Sequence, residues 1–168
     1  PAIFLVWNGG YTNHDNKYIP LTEIELTPGT LNEEDPILGT KEVYSYYSLF
    51  QNIEYEKDRS NYRTGNCSNL KGLITGKAIC AGYSLIFKEM MDRQGIQCDY
   101  IRGIGIAGGS EEKHAWNVLT IQGKSFPIDL TWDSCRINRG ETSLKYFGNN
   151  PRFFRNHKKD LDEKEYIY

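Results

Sequence analysis

The fold is decided by residues 76–93, which read GKAICAGYSLIFKEMMDR. Behind the cysteine, apolar residues recur at helical spacing, which predicts a mostly buried helix from Cys80 to Arg93. Gly95 suits the left-handed position after the last turn, and Ile96 can then contact Met91 as in a Schellman cap. The sequence therefore specifies where this helix ends.

Beyond the helix, the period of the apolar residues becomes two. Residues 97–107, 114–121 and 125–132 alternate, and Gln122-Gly123-Lys124 is a tight-turn signal between the last two segments. A helix followed by an antiparallel sheet predicts the α+β class rather than a doubly wound fold. We expect the helix that carries Cys80 to pack on that sheet.

Length and charge narrow the function classes. A chain of 168 residues favours one domain with a real core, so residues 1–168 are predicted as a single domain. Lys and Arg number 20 against 22 Asp and Glu, and the formal charge of -2 provides no footprint for nucleic acid or an anionic membrane. The apolar opening at residues 1–7 is too short to span a bilayer. We therefore expect neither a nucleic acid nor a membrane as partner.

The first part of the chain differs in composition from the rest. Residues 1–39 are rich in Gly, Asn, Thr and Pro, which predicts strands and turns. From Thr40 to Glu54 the apolar residues have helical spacing, which predicts an amphipathic helix. Because the first residue is not Met, we expect an excised piece of a larger protein. Localisation is left open, with secretion or delivery as one expectation.

The cysteine spacing argues against the common metal and redox motifs. Cysteines stand at 67, 80, 98 and 135, and no two of them form a C-x-x-C pair. A chain of this size also has no need of disulfides to fold. The sequence therefore predicts no metal and no cofactor.

Two further motifs look functional but have a simpler explanation. Residues 103–108 read GIGIAG, yet the GxGxxG fingerprint needs a following helix, and the next predicted element is a strand. We therefore reject nucleotide binding. The basic run at residues 152–159, which includes His157, is followed at once by acidic residues, and this favours a solvated terminal helix or tail.

Cys80 is the candidate nucleophile. In the first turn of the predicted helix, unpaired backbone N–H groups and the helix macrodipole stabilise a thiolate. A free cysteine is more often a small apolar filler, and Cys80 taken alone favours that interpretation. The nucleophile is favoured by Gly82, which would leave space for a substrate backbone, and by a histidine and an aspartate downstream.

His114 is the candidate base, and two acids compete to orient it. It follows the flexible stretch 108–113 at the mouth of a strand, where an imidazole can exchange a proton with a thiol. A partly buried surface histidine is the alternative. A two-residue turn at Gly123-Lys124 would set His114 opposite Asp133, with Asp129 on the same face four residues away. This register favours Asp133. A bulge or another turn would restore Asp129, so spacing alone leaves both acids open.

Four motifs follow one another along the chain. They are GKAICAGY at 76–83, Gly95-Ile96 with Cys98, HAWN at 114–117 and IDLTWD at 128–133. In this combination they resemble the core of the transglutaminase-like superfamily, and the likeness covers about residues 40–150. Tyr146-Phe147 looks like the aromatic pair that follows the last motif in that family, where it is a packing element. Residues 1–39 match no motif of the family.

The resemblance implies a papain-like α+β core and thiol acyl transfer. Nucleophile, base and orienting acid then fall on Cys80, His114 and Asp129, so the resemblance selects Asp129 over Asp133. No residue matches the side-chain oxyanion donor of many relatives, which leaves the backbone N–H of Cys80 as the candidate donor. No acidic cluster has calcium-loop spacing, so the calcium control of the animal enzymes is not expected.

The implied reaction forms a thioester at Cys80 and passes the acyl group to an amine, which is transglutamination, or to water, which is deamidation. We expect a protein or peptide substrate whose Gln side chain enters a narrow slot walled by Tyr83 and Trp116, unless these two are core aromatics. A cysteine peptidase with the same triad and a non-catalytic binding module are the alternatives. The unmatched N-terminal segment would suit a secreted bacterial effector or toxin, with an inhibitor or immunity protein as a further partner.

Overall fold

One long helix packed on an antiparallel sheet organises the computed structural model. The structure describes residues 10–12, 18–20, 25–26, 49, 52–141, 143–147 and 154–160. The strands are β1 (Gly10–Thr12), β2 (Tyr18–Pro20), β3 (Glu25–Leu26), β4 (Glu54–Tyr55), β5 (Lys77–Ala78), β6 (Gln97–Ala107), β7 (Ser110–Ile121), β8 (Lys124–Ile128), β9 (Ser143–Leu144) and β10 (His157–Lys159). The α-helices are α1 (Gly72–Thr75), α2 (Cys80–Arg93) and α3 (Leu130–Asn138), and Arg59–Thr64 form a 3-10 helix.

The main sheet has four strands in the order β10-β6-β7-β8, and each neighbouring pair is antiparallel. Smaller pairs join distant segments, since β4 runs parallel to β5 and β3 runs parallel to β9. The α+β class and the antiparallel sheet are therefore confirmed. Within the described residues, no helix combines the length and the apolar character needed to cross a membrane.

Helix α2 has the ends that its sequence predicts. It runs from Cys80 to Arg93, and Gly95 follows with a φ of 72°. The backbone N–H of Ile96 donates to the carbonyl of Met91 at 3.0 Å, which is the outer hydrogen bond of a Schellman cap. The predicted helix and its cap are both confirmed.

The main core lies between α2, the sheet and α3. Helix α2 packs against β6 and β7, and its side chains Ile86, Phe87 and Met91 are fully buried. Burying one such side chain contributes about 1.5–3 kcal/mol to folding. The core side chains that face each other across this interface include Ile86, Phe87, Met91, Leu119 and Ile128.

The hairpin that follows β7 differs from its prediction. The turn is at Gln122 and Gly123, whose φ values of 50° and 79° suit a type I′ turn, and Ile121 pairs with Lys124. Strand β8 ends at Ile128, so the predicted strand over 125–132 is too long. Asp129 is instead the N-cap of α3 and accepts a hydrogen bond from the backbone N–H of Trp132. The register that placed His114 opposite Asp133 is therefore wrong.

Residues 40–54 and 157–159 agree with their predictions only in part. The predicted helix from Thr40 to Glu54 lies mostly outside the described residues; positions 49 and 52 are helical, and Glu54 begins β4. Residues 157–159 form the edge strand β10, with the His157 side chain only 2% exposed. A solvated tail is thus wrong for these three residues, because their pairing with β6 depends on contacts far away in sequence.

The glycines of the GIGIAG run serve packing. Both Gly103 and Gly105 lie in β6, which continues through a turn into β7 rather than into a helix. A Cβ at Gly103 would lie 2.1 Å from the carbonyl oxygen of Lys158, and one at Gly105 would lie 2.9 Å from the Trp132 ring. The absence of side chains here lets β10 and the aromatic rings approach the sheet closely.

Gly82 has a similar role in α2. A Cβ at this position would lie 2.2 Å from the carbonyl oxygen of Cys67, so the space beside Gly82 is filled by the chain itself. The expectation that Gly82 leaves space for a substrate backbone is therefore not supported. Gly82→Ala should therefore lower the free energy of unfolding by about 1–3 kcal/mol, because backbone must move. Urea unfolding measures the change, and Glu89→Ala, which removes an exposed ion pair on the same helix, is the control. Equal stability of the two variants would contradict this packing.

Candidate active site

Cys80 is the first residue of α2 and is partly exposed. The residue before it, Ile79, is extended and provides no side-chain cap for the helix. The first backbone N–H groups of α2 are therefore not capped by a side chain of that residue, and the positive end of the helix lies beside the sulfur. This is the position that the sequence predicts for a nucleophile.

His114 lies on β7, directly across from Gly103 on β6. Its Nε2 is 2.6 Å from Oδ2 of Asp129, and its ring stacks on Trp132 with the centroids 5.0 Å apart. The imidazole also has a hydrogen-bond and charge interaction with Cys80. Because Nε2 is taken by Asp129, Nδ1 is the ring nitrogen left for the thiol.

Asp129 follows the end of β8 and is completely buried. Its Oδ1 accepts the backbone N–H of Trp132 at 3.0 Å, so the cap of α3 fixes the carboxylate. Asp133 lies one turn further along α3, where it accepts the backbone N–H groups of Lys145 and Tyr146. The structure thus brings Asp129 to His114 and uses Asp133 to hold the segment after α3.

Charge pairing dominates the titration of the two partners. Burial alone would lower the pKa of His114, but the Asp129 carboxylate outweighs it and, with Cys80, raises that pKa to about 10. Burial alone would raise the pKa of Asp129, but the charge and hydrogen bonds of His114 and His157 hold it well below the usual range. An imidazolium next to a carboxylate is therefore the stable state at neutral pH.

His157 is a site residue that the sequence interpretation missed. Its Nε2 lies 2.8 Å from Oδ2 of Asp129, so one carboxylate oxygen faces two histidines. The ring packs against Trp132 and Phe154, with centroid distances of 4.3 and 4.7 Å. The only local signal is the position of His157 in a short basic run, which does not reveal pairing with β6.

The two histidines and Asp129 also form a group that could hold a metal, with ligand atoms within 4.8 Å of one another. The separations of 2.6 and 2.8 Å from the shared oxygen are hydrogen-bond distances. Ligands on a tetrahedral zinc ion would stand about 3.3 Å apart. The present geometry fits a hydrogen-bonded set and would have to open to coordinate an ion.

Tyr83 and Trp116 lie in the interior rather than at the walls of a slot. Tyr83 is 0% exposed, and its hydroxyl donates to the carbonyl of Ile53 at 2.8 Å. Trp116 is 1% exposed and stacks behind the His114 ring at 6.1 Å. The expectation that they contact substrate is not supported, because both are core aromatics in this structure.

Two cavities meet at Cys80 and His114. The larger one has a volume of about 1020 Å³ and the smaller one about 240 Å³. Both are lined by Tyr55, Glu112 and Lys113 as well as by the cysteine and the histidine. The larger cavity continues along Tyr100–Ile104 of β6, whereas the smaller one continues toward Gly105, Ala107 and Trp132, so open space leads away from Cys80 toward two different parts of the fold.

The sequence profile of the transglutaminase-like superfamily matches residues 25–130. This stretch is more than half of the chain and contains Cys80, His114 and Asp129. The chain therefore belongs to the transglutaminase-like superfamily, whose members include cysteine-dependent transglutaminases and proteases.

Curated relatives carry the name of a peptidase. A Kyphoscoliosis peptidase from Mus musculus is 32% identical over 115 residues, which is 60% of this chain and 17% of that protein. The Kyphoscoliosis peptidase from Homo sapiens is 32% identical over 100 residues, which is 51% of this chain and 14% of that protein. The chain thus spans less than a fifth of the length of these relatives.

Solved structures also align with the chain. A TGase aligns with a TM-score of 0.42 and 20% identity over 54% of this chain and 24% of the other. A candidate cysteine protease from Cytophaga hutchinsonii aligns with a TM-score of 0.47 and 15% identity over 81% of this chain and 50% of the other. The family assignment rests on the sequence profile.

The four cysteines should differ sharply in reactivity. Burial raises the pKa of Cys67 and of Cys135, and it raises the pKa of Cys98 to about 12, so few of these thiols ionise at neutral pH. Mild iodoacetamide should therefore alkylate Cys80 first, as measured by peptide mapping of the folded protein. Faster labelling of any other cysteine would contradict the nucleophile assignment.

Substitutions of the two aspartates should have different effects on activity and stability. Asp129→Asn should lower turnover by several orders of magnitude with the fold intact, since the amide can still cap α3 but no longer holds the imidazole in its productive state. Asp133→Asn should mainly lower the melting temperature, because it puts an amide among two backbone donors. Turnover and thermal melting followed by circular dichroism are measured for both variants. A larger loss of turnover in Asp133→Asn than in Asp129→Asn would exclude Asp129 as the residue that orients His114.

Stability should depend on pH through His114. Its folded pKa is raised from 6.5 to about 10, so its contribution is complete below the unfolded value and is lost as the pH rises through the folded one. The free energy of unfolding in urea should therefore decline between these two pH values. His114→Gln should remove much of that decline, and equal slopes in the two proteins would refute the link.

Proposed function

We propose that the chain is a cysteine-dependent enzyme that attacks an amide carbonyl of a protein substrate and forms a thioester. The observation that carries the proposal is the position of His114 between Cys80 and the buried carboxylate of Asp129. Each group lies where its part of nucleophilic catalysis requires it. Membership in a superfamily of cysteine-dependent enzymes supports the same reaction class.

The proposed cycle needs one proton carrier. The sulfur of Cys80 attacks the carbonyl carbon, and the proton of its thiol is held by His114. His114 then gives that proton to the leaving nitrogen as the carbon–nitrogen bond breaks. Asp129 keeps the imidazole oriented and stabilises its charged form, and the backbone N–H of Cys80 is our candidate donor to the developing oxyanion.

The second half of the cycle releases the acyl group. Water or an amine enters the cleft and loses a proton to His114 as it attacks the thioester carbon. The sulfur of Cys80 leaves as the thioester breaks, and the proton that His114 took from the water or amine stays on the imidazole, which restores the starting state. Water gives hydrolysis, and an amine gives a new amide.

The cleft favours a peptide bond as the acyl donor. A peptidase must hold its substrate on both sides of the reacting amide, and cavities flank Cys80 on two sides. A Gln side chain would need a narrow slot, and Tyr83 and Trp116, the two residues expected to wall it, lie in the core. Peptide hydrolysis is therefore our first candidate, and deamidation or transglutamination of Gln is the second, supported by the superfamily.

Product analysis tests the proposal. Casein, which offers both peptide bonds and Gln side chains, is incubated with the protein and a fluorescent primary amine, and the products are analysed by intact mass spectrometry and an ammonia assay. Chain cleavage without ammonia supports the peptidase, whereas ammonia release or amine incorporation supports Gln chemistry. Cys80→Ala should abolish each signal, and Cys67→Ala is the matched control because that thiol is buried away from the cavities. Activity that survives in Cys80→Ala would overturn the proposal.

A further inference from the structure

The larger cavity beside Cys80 has a charge opposite to that of the chain. Five lysine and arginine side chains and two carboxylates line it. With histidine counted as neutral, they give a formal charge of +3, where the whole chain carries -2 on the same count. The lining cations are Lys57, Arg59, Arg102, Lys113 and Lys159, and the carboxylates are Glu112 and Asp160. This contrast is local to one side of the nucleophile.

The cations stand on both walls of the cavity. Lys57 and Arg59 belong to the segment after β4, whereas Lys113 lies on β7 next to His114. Arg59 and Glu112 form an ion pair at 3.6 Å across the mouth, and their side chains are 82% and 71% exposed. Such an exposed pair is weak, so an incoming carboxylate can compete for the arginine.

We propose that this cavity accepts an acidic polypeptide segment adjacent to the reacting amide. The inference rests on the proposed function for the presence of an amide substrate, but the charge of the cavity does not depend on it. A cleft with one sign of charge raises the local concentration of oppositely charged ligands and speeds their association. Tyr55, Tyr62 and Tyr100 add aromatic surface to the same walls.

The first test needs no turnover. Iodoacetate and iodoacetamide are similar in size, but only iodoacetate is an anion. The alkylation rate of Cys80 by iodoacetate divided by its rate with iodoacetamide therefore reports the charge of the cavity. This ratio should fall about tenfold in Lys57→Glu/Lys113→Glu, and in the wild-type protein it should fall with added salt. Lys71→Glu, on an exposed residue that does not line the cavity, should leave it unchanged. An unchanged ratio in the double variant overturns the proposal.

The second test uses peptides. A Glu-rich decapeptide and an Ala-rich decapeptide of equal length compete with iodoacetamide for Cys80, and the concentration for half protection is measured. The acidic peptide should protect at concentrations about tenfold lower, and the difference should disappear in the double variant. Equal protection by both peptides overturns the proposal. If acidic peptides protect but no amide is turned over, the reaction proposed above fails while the binding preference stands.

A second, independent inference concerns His157. Its Nε2 must carry a proton to donate to the ionised Asp129, and its Nδ1 is buried without a hydrogen-bond partner among the described residues. A buried bare nitrogen is less costly than a buried unpaired N–H, so the proton belongs on Nε2. We infer that His157 is a positioning residue, whose Nε2–H donates to the Asp129 carboxylate and fixes it for His114. The inference rests on the proposed catalytic role of Asp129.

Variants that differ in one hydrogen bond test this role. His157→Phe fills the aromatic site without a donor and should lower kcat about 10²-fold with little change in KM, since only the orientation of the acid is lost. His157→Gln keeps an N–H donor and should recover much of kcat at equal or lower stability. Full activity in His157→Phe overturns the inference.

The wild-type protein provides a check that does not depend on how the variants fold. Nitrogen-15 NMR shows which ring nitrogen of a histidine carries a proton. His157 should carry a proton at Nε2, the nitrogen that faces Asp129. A signal from the Nδ1–H tautomer overturns the inference, whether or not the His157→Phe protein is stable.

Discussion

The buried carboxylate of Asp129 is the constraint on which the rest of the site depends. A charged oxygen with no exposure to water is tolerated only when hydrogen-bond donors surround it. Here the donors come from three places: His114 on β7, His157 on β10 and the first turn of α3. Removing one partner of a buried charge costs about 3–5 kcal/mol, so the same contacts that orient the imidazole also hold these elements together.

Aromatic rings fix the positions of the two histidine donors. Trp132 stacks on His114 and lies against His157, so the ring separates the site from solvent on one face. Gly105 leaves room for that ring, and Gly103 leaves room for the backbone of β10. The sheet thus carries no side chains at these two positions beside the site. A larger residue at either glycine would push the histidines away from Asp129.

Local signals in the sequence predicted the elements, and long-range contacts decided the site. The cap at Gly95 and the alternation over 97–107 gave α2 and β6 with their observed bounds. The turn after β7 was misplaced because Gln122, not Lys124, takes the positive φ next to Gly123. Spacing favoured Asp133 because an N-cap aspartate and a strand aspartate look alike in a short motif, and the strand was therefore continued past Asp129. The resemblance selected Asp129. No local pattern links His157 to residues of β6.

The order of these elements along the chain has a consequence for synthesis. A ribosome completes Cys80, His114 and Asp129 well before it reaches β10, and the β6–β7 hairpin closes through neighbouring residues. Strand β10 pairs with β6 only across a long sequence separation, which makes its docking a later event in folding. With the role inferred for His157, the nascent chain carries a thiol and its base but an incompletely held acid. The full catalytic rate is then expected only once the edge strand has docked.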